Sequence, residues 1–223
     1  MTVNFTTWKG ITDGQTYGIP DSEDLHSRYD FSEEDGSLPV TDLSENGHDL
    51  DNGDYTGVAE DINGVQAGEF DGVDDGVWTS VSTVSEPITV AFVADINSDD
   101  TFQRAVKLQD GPDGDLRSSA DPSGDWEIES EGDDIQGGDV FDKLVIAHFD
   151  GGEGVLRVNG TEVANGDTPI TMDGINIGSR QIEDESSGYF EGAIGEVLIY
   201  DSNKSDIFDD IESYLSDKWG ISI

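Results

Sequence analysis

Carboxylates are the reactive side chains this sequence supplies in quantity. Trp126-Glu-Ile-Glu-Ser-Glu131 places Glu127, Glu129 and Glu131 at a period of two, which on a β-strand puts all three on one face. Two carboxyl groups about 5–5.5 Å apart form the nucleophile and acid of a retaining glycosidase. However, acids fill 51 of 223 positions, so such an alternating string arises by chance about two or three times in a chain of this composition. Gly132-Asp-Asp134 follows it, where a hydrolase strand would continue with apolar residues. Asp71-Gly-Val-Asp-Asp-Gly76 gathers Asp71, Asp74 and Asp75 in a glycine-bounded loop, with oxygen ligands of the kind Ca²⁺ takes in sets of about six to eight. The same residues also make ordinary turns. Asp110-Gly-Pro-Asp-Gly-Asp115 lacks EF-hand spacing. His26, His48 and His148 have no Gly-x-Ser-x-Gly partner for triad chemistry. His148 falls mid-strand and reads as a hydrogen-bonded sheet residue. With no cysteine, disulfide, thiolate and iron–sulfur chemistry are excluded.

Ten Lys+Arg against 51 Asp+Glu leave a formal charge of −41. Charge of that sign repels phosphates over the whole surface, so nucleic-acid and anionic-membrane binding are excluded as the main task. No apolar run is long enough to span a bilayer, and the first residues lack the pattern of a secretory signal. Acids this dense repel one another in dilute buffer. At about 1 M salt the Debye length is about 3 Å and that repulsion is largely removed. The composition therefore reads as an adaptation to high K⁺ or Na⁺ salt. A calcium-buffering protein would concentrate its acids in repeats, and these are scattered.

The elements that must carry these groups are mainly strands. Ile88–Ala94 alternates, with Ile88, Val90 and Phe92 on one face. Leu144–Phe149 is a continuous apolar run, the pattern of a strand covered on both sides. Val155–Val158 and Thr161–Ala164 flank Asn159-Gly160, whose residues accept the positive φ of a type I′ hairpin turn. Ile175–Ile177 and Ala193–Tyr200 supply late strands. The 28 glycines, nearly twice the usual share of roughly 7%, suit many tight turns. One helix is predicted at the C-terminus, capped by Ser205 or Asp206, with Ile207, Phe208, Ile211, Tyr214, Leu215 and Trp219 on its apolar face and Gly220 as its stop. Short strands at this spacing predict an all-β sandwich or jelly roll.

The order of motifs carries a resemblance. Ile19-Pro-Asp-Ser22, Tyr29-Asp-Phe31, Asp42–Leu50, Ile62–Val65, Phe70–Val77, Leu156–Thr161, Ile177-Gly178, Tyr189–Tyr200 and Ile211–Gly220 follow one another as in the laminin-G-like, concanavalin A-like jelly roll, in the version with a terminal Tyr-Leu…Lys-Trp-Gly helix. The resemblance covers residues 19–223 and implies a β-sandwich of two antiparallel sheets with one C-terminal helix, preceded by an arm, residues 1–18. It also implies a structural Ca²⁺ on the convex side, held by Asp71, Asp74, Asp75 and Glu196, although relatives carry Asp-Glu where this chain has Gly195-Glu196. The family holds lectins, adhesion modules, laminarinase-type hydrolases and virion proteins of phages and archaeal viruses, so fold alone does not fix function.

Tyr17, Tyr55, Trp78, Trp126 and Tyr189 have the ring type that stacks on sugars. Phe5, Trp8 and Ile11 are apolar residues a short arm cannot bury by itself, which marks them as assembly contacts. Tyr55 and Trp126 join them as expected ligand or assembly contacts. The expectation is a non-enzymatic virion protein of a haloarchaeal tailed virus, as a head turret or decoration protein or a tail host-recognition module. Its partners would be copies of itself, other capsid or tail proteins, and host surface glycans, without membrane insertion. The alternative is a carbohydrate-binding or adhesion module at the surface of a halophile, and the second alternative a laminarinase-type glycoside hydrolase. The acid coat carries a direct test: circular dichroism is expected to report loss of structure on dilution from about 3 M to about 0.05 M NaCl, and an unchanged spectrum overturns the salt reading.

Overall fold

The structure, a computed structural model, describes residues 18–58, 61–97, 102–108, 114–118, 124–130, 134–141, 143–179 and 188–223. The arm contacts Phe5, Trp8 and Ile11, together with Tyr17 and Glu131, lie outside the described residues. In chain order the strands are β1 (Leu25–Asp30), β2 (Asn52–Asp54), β3 (Asp61–Ile62), β4 (Val65–Gln66), β5 (Gly68–Asp71), β6 (Gly76–Ser85), β7 (Ile88–Ile96) and β8 (Arg104–Lys107). They continue with β9 (Asp115–Ser118), β10 (Asp125–Glu129), β11 (Ile135–Asp139), β12 (Leu144–Phe149), β13 (Gly154–Val158), β14 (Thr161–Gly166), β15 (Thr171–Ile177) and β16 (Glu191–Tyr200); the helix α1 is Phe208–Trp219. The first sheet runs β1-β16-β7-β12-β13-β14, with β5 also paired to β16; the second runs β11-β10-β9-β8-β15-β6-β2; β3 and β4 form a small ribbon. Every strand pairing is antiparallel. The architecture is a jelly-roll β-sandwich with one C-terminal helix, as the strand pattern predicts.

Alternation decides what each face does. From the first sheet, Val90, Phe92, Val145, Ala147, Phe149, Val197 and Ile199 point into the sandwich. From the second, Val77, Val106, Leu116, Trp126, Ile128, Ile175 and Ile177 meet them, with Phe92 and Trp126 packed edge to face at 5.3 Å. The residues between them on the first sheet, such as Ala91, Val93, Leu144, Ile146, Leu198 and Tyr200, face the other way into a second apolar cluster closed by Phe208, Ile211, Tyr214, Leu215 and Trp219 of α1. The first sheet is thus buried on both faces, which is why Leu144–Phe149 is apolar throughout. Among the described residues the second sheet has no helix on its outer face, and the polar residues of its strands lie there. The hairpin at Asn159-Gly160 has φ of 44° and 80°, as its turn requires.

The helix is anchored by charge as well as by its apolar stripe. Beneath it, Glu196 of β16 accepts from Arg28 Nε (2.8 Å), from Tyr214 Oη (2.9 Å) and from Lys218 Nζ (2.5 Å). Asp30 accepts from Arg28 (3.0 Å) and from Lys218. Both carboxylates are fully buried, and two cations face two anions. Burial pushes the Glu196 carboxyl up, but Lys218 and Arg28 outweigh it, and its pKa falls below the ordinary value. For Asp30, burial and the Glu196 charge outweigh Lys218, and its pKa rises. Gly220, in the left-handed region at φ 63°, ends the helix and donates to Ser216 O. The N-terminal cap differs from the expectation. A 3₁₀ turn over Ser205–Ile207 leads into α1, and neither Ser205 nor Asp206 caps it by a side-chain hydrogen bond. The apolar docking and the ion cluster make a cap dispensable.

Removing one charge from a balanced buried cluster leaves the others uncompensated. Glu196→Gln is expected to cost about 3–5 kcal/mol in chemical denaturation at constant high salt. Glu162→Gln, on an exposed edge, is expected to stay within about 0.5 kcal/mol.

Candidate functional site

The outer face of the second sheet carries the densest polar grouping. One rung crosses it as Asn52, Trp78, Asn176, Lys107, Asp115 and Glu129, each opposite the next on neighbouring strands. The adjoining rung is Arg104, Arg117, Glu127 and Gln136. A register shift between Arg104 and Val106 lets Ala105 and Val106 both enter the core while Arg104 and Lys107 both face outward. Asp115 accepts from Arg104 Nε (2.5 Å) and Lys107 Nζ (2.7 Å). Arg117 holds Glu127 through Nη2 (2.8 Å) and Glu129 through Nη1. Three cations again face three carboxylates.

This network is roofed in part. Phe102, 42% exposed, lies over the Arg117 guanidinium with 4.5 Å from Cζ to the ring centre. Gly188, at φ 85°, accepts at its carbonyl from Arg104 N (3.2 Å). A Cβ at Gly188 would lie 2.0 Å from Arg104 Nη1, so the close approach requires glycine there. At the open end Trp78 and Asn52 are half-buried and Ser80 is exposed. Among the described residues, two buried donors on this face lack an acceptor, Asn176 Nδ2 and Arg117 Nε. Asn176 is fixed through its carbonyl by Ser179 Oγ (2.9 Å). A buried donor without a partner costs on the order of 1–3 kcal/mol.

Glu127 and Glu129 share the solvent side of β10, as the period of two predicts, but Arg117 bridges both. Burial pushes the Glu129 carboxyl up, the neighbouring Asp115 adds to this, and Arg117 offsets only part; its pKa is about 7. Sequence reasoning did not pick out Arg104, Lys107, Arg117 or Asn176. The signal was present, since three of the ten basic residues fall between positions 104 and 117.

The expected calcium ligands separate. Asp71, Asp74 and Asp75 do come together, with carboxylate oxygens within 4.8 Å of one another. Asp75 Oδ2 accepts from Asp71 N (2.8 Å), Thr56 N (3.0 Å) and Thr56 Oγ1 (2.8 Å), and Asp71 Oδ1 accepts from Val73 N (2.8 Å). These oxygens already close the turn. Glu196 does not join them, because it is the counter-ion under α1. The acid that opens the last strand is Glu191, opposite Asp71 in the β5–β16 register. Tyr55 and Trp126 are also corrected as contact residues. Tyr55 is buried against Phe31 and Phe70, and Trp126 is 1% exposed in the core. Alternation turns Trp126 inward because Glu127 and Glu129 turn outward. His148 is hydrogen-bonded within the sheet, to Thr89 Oγ1 at 3.0 Å.

No family model and no curated protein matches the sequence. Solved structures share the fold. Domain 4 of AbnA, a GH43 extracellular arabinanase of Geobacillus stearothermophilus solved with arabinotriose, aligns at 17% identity over 87% of this chain and 97% of that one, with a TM-score of 0.60. A Trypanosoma rangeli sialidase mutant displaying trans-sialidase activity aligns at 15% identity over 92% of this chain, TM-score 0.64. The sialidase of that organism in complex with sialic acid aligns at 16% identity over 89%, TM-score 0.61. This chain spans 33–35% of the length of those two sialidase chains. Identities this low establish the shared β-sandwich.

A carboxyl raised above its unfolded value near 4.5 stabilises the fold below that pH, and the contribution is lost as pH rises through about 7. Glu129→Gln cannot lose it. The melting temperature of Glu129→Gln minus that of the unsubstituted protein is therefore expected to grow between about pH 4.5 and pH 7.5 at constant salt, and a flat difference refutes the assignment.

Proposed function

We propose that this chain is a non-enzymatic carbohydrate-binding module adapted to high salt, taking glycan on the outer face of its second sheet at the Trp78 end. The observation that carries the reading is half-buried Trp78, on one rung with Asn52 and Asn176 at the open end of that face. An indole offers a face to the C–H side of a pyranose or furanose, and the half-buried Asn52 amide beside it is a polar partner for a sugar oxygen. The arabinanase domain of the same fold, solved with arabinotriose, lends the reading support. Arg117 ties up Glu127 and Glu129, which favours binding over hydrolysis. Carried on a haloarchaeal virion, in a turret, decoration or tail protein, the same face would serve attachment to host glycans. At the surface of a halophile it would serve adhesion or substrate capture. Structural Ca²⁺ at the Asp71–Asp75 loop belongs to the proposal as support for the adjoining strand ends.

One feature favours a second reading. Glu129, at about 7, can donate a proton near neutral pH, as a laminarinase-type hydrolase would need.

The test is a glycan array in high salt, in Ca²⁺ and in EDTA, followed by titration and by reducing-end assays on the polysaccharides that bind. Binding without hydrolysis is expected, weakened about tenfold or more by Trp78→Ala and less by the buried-core control Val106→Ala at matched stability. Hydrolysis abolished by Glu129→Gln would establish the second reading. Binding unchanged in Trp78→Ala would move the site elsewhere.

A further inference from the structure

A cleft of about 460 Å³ opens at the other side of the molecule, beside β1, lined by Glu23, Asp24, Leu25, His26, Asn46, His48 and Asp201. Two of the chain's three histidines meet there, with rings stacked at 4.3 Å and 14° between planes. Their hydrogen bonds fix where the protons sit. His48 Nδ1 lies 3.1 Å from His26 O. A carbonyl only accepts, so Nδ1 of His48 carries hydrogen, and Nε2 is the ring nitrogen left for an outside partner. Ser27 Oγ lies 3.0 Å from the same Nδ1 and 2.9 Å from His26 Nδ1. Ser27 Oγ thus links the two rings, accepting from His48 Nδ1. Burial and then the facing His48 ring lower the His26 pKa.

A ring N–H committed to a backbone carbonyl, with the opposite nitrogen left free, is how proteins orient a metal-ligating histidine. The His48 ring is 24% exposed, and among the described residues its Nε2 has no hydrogen-bond partner. Three carboxylates line the same cleft. Asp24 is held by Lys204 (2.8 Å); Glu23 and Asp201 are exposed side chains free to turn inward. These groups are not gathered in the way Asp71, Asp74 and Asp75 are, so an ion would draw Glu23 or Asp201 in by rotation and keep water in its remaining positions.

We propose that this cleft binds a divalent transition-metal ion of the Zn²⁺ class, ligated by His48 Nε2 and by carboxylate oxygen from Glu23 or Asp201. An imidazole with carboxylates selects such an ion over Mg²⁺ and Ca²⁺, which prefer oxygen alone. The general acidity of the surface would not discriminate in this way. The site is independent of the glycan-binding face.

The experiment adds Zn²⁺ or Mg²⁺ to the full chain at fixed ionic strength and reads the melting temperature and the imidazole NMR resonances. Zn²⁺ is expected to raise the melting temperature and to shift the His48 ring signals while those of His148 stay in place; Mg²⁺ is expected to do neither. His48→Gln is expected to weaken Zn²⁺ binding about tenfold or more. The double variant Glu23→Gln/Asp201→Asn, at exposed positions, is expected to weaken it while leaving the ion-free melting temperature intact. An equal response to Mg²⁺, or Zn²⁺ affinity unchanged in both variants, overturns the proposal.

Discussion

The structure depends on how few cations it has and where they stand. Arg28, Arg104, Lys107, Arg117, Lys143, Arg157, Lys204 and Lys218 are all the lysines and arginines among the described residues, and each is in an ion pair with a carboxylate. Two clusters take most of them. One clamps α1 onto the first sheet through Asp30 and Glu196. The other stitches β8, β9 and β10 together on the outer face of the second. Because acids outnumber bases by 51 to 10, most of the surface acids have no cation to pair with. Buried pairs are screened little by salt, while exposed repulsion is screened strongly. High salt therefore relieves the surface without dissolving the clusters that hold the sheets.

The two sheets consequently have different roles. The central strands of the first, β16, β7 and β12, are closed on both sides among the described residues, by the sandwich core and by the helix. The second has one face left open, and that face holds polar side chains fixed by their mutual pairing rather than by solvent. A surface so constrained is preorganised, since its side chains have already lost their rotamer freedom on folding. Trp78 and Asn176 sit at its margin, where the ion network stops and the face becomes accessible. The roof of Phe102 over Arg117 keeps the centre of the network from water. This division makes the Trp78 end, and not the centre with Glu127 and Glu129, the accessible part of the face among the described residues.

Local rules made much of the architecture legible. Leu144–Phe149, the Asn159-Gly160 turn and the stripe ending at Trp219-Gly220 each report their environment through period, turn chemistry or capping. The candidate site was less legible. Trp126 and Tyr55 have the ring type of sugar-binding residues, but alternation and packing send both into the core. Glu196 sits in an acidic motif of the last strand, yet the register places Glu191 beside Asp71 and Glu196 beneath Lys218. Residue type suggested these roles, and a shift of position along one strand changed them.

The amino-acid sequence alone determined the strand periods, the absence of thiol chemistry and the excess of negative charge, because these depend on residue order and composition. Only the tertiary structure decided which carboxylates meet a cation. It also decided which aromatic ring keeps an open face, and that His26 and His48, 22 positions apart in the chain, stack with Ser27 between their Nδ1 atoms. Such facts depend on strand register and on which sheet receives the helix, and pairing between distant segments is set by the whole core at once rather than by any local stretch.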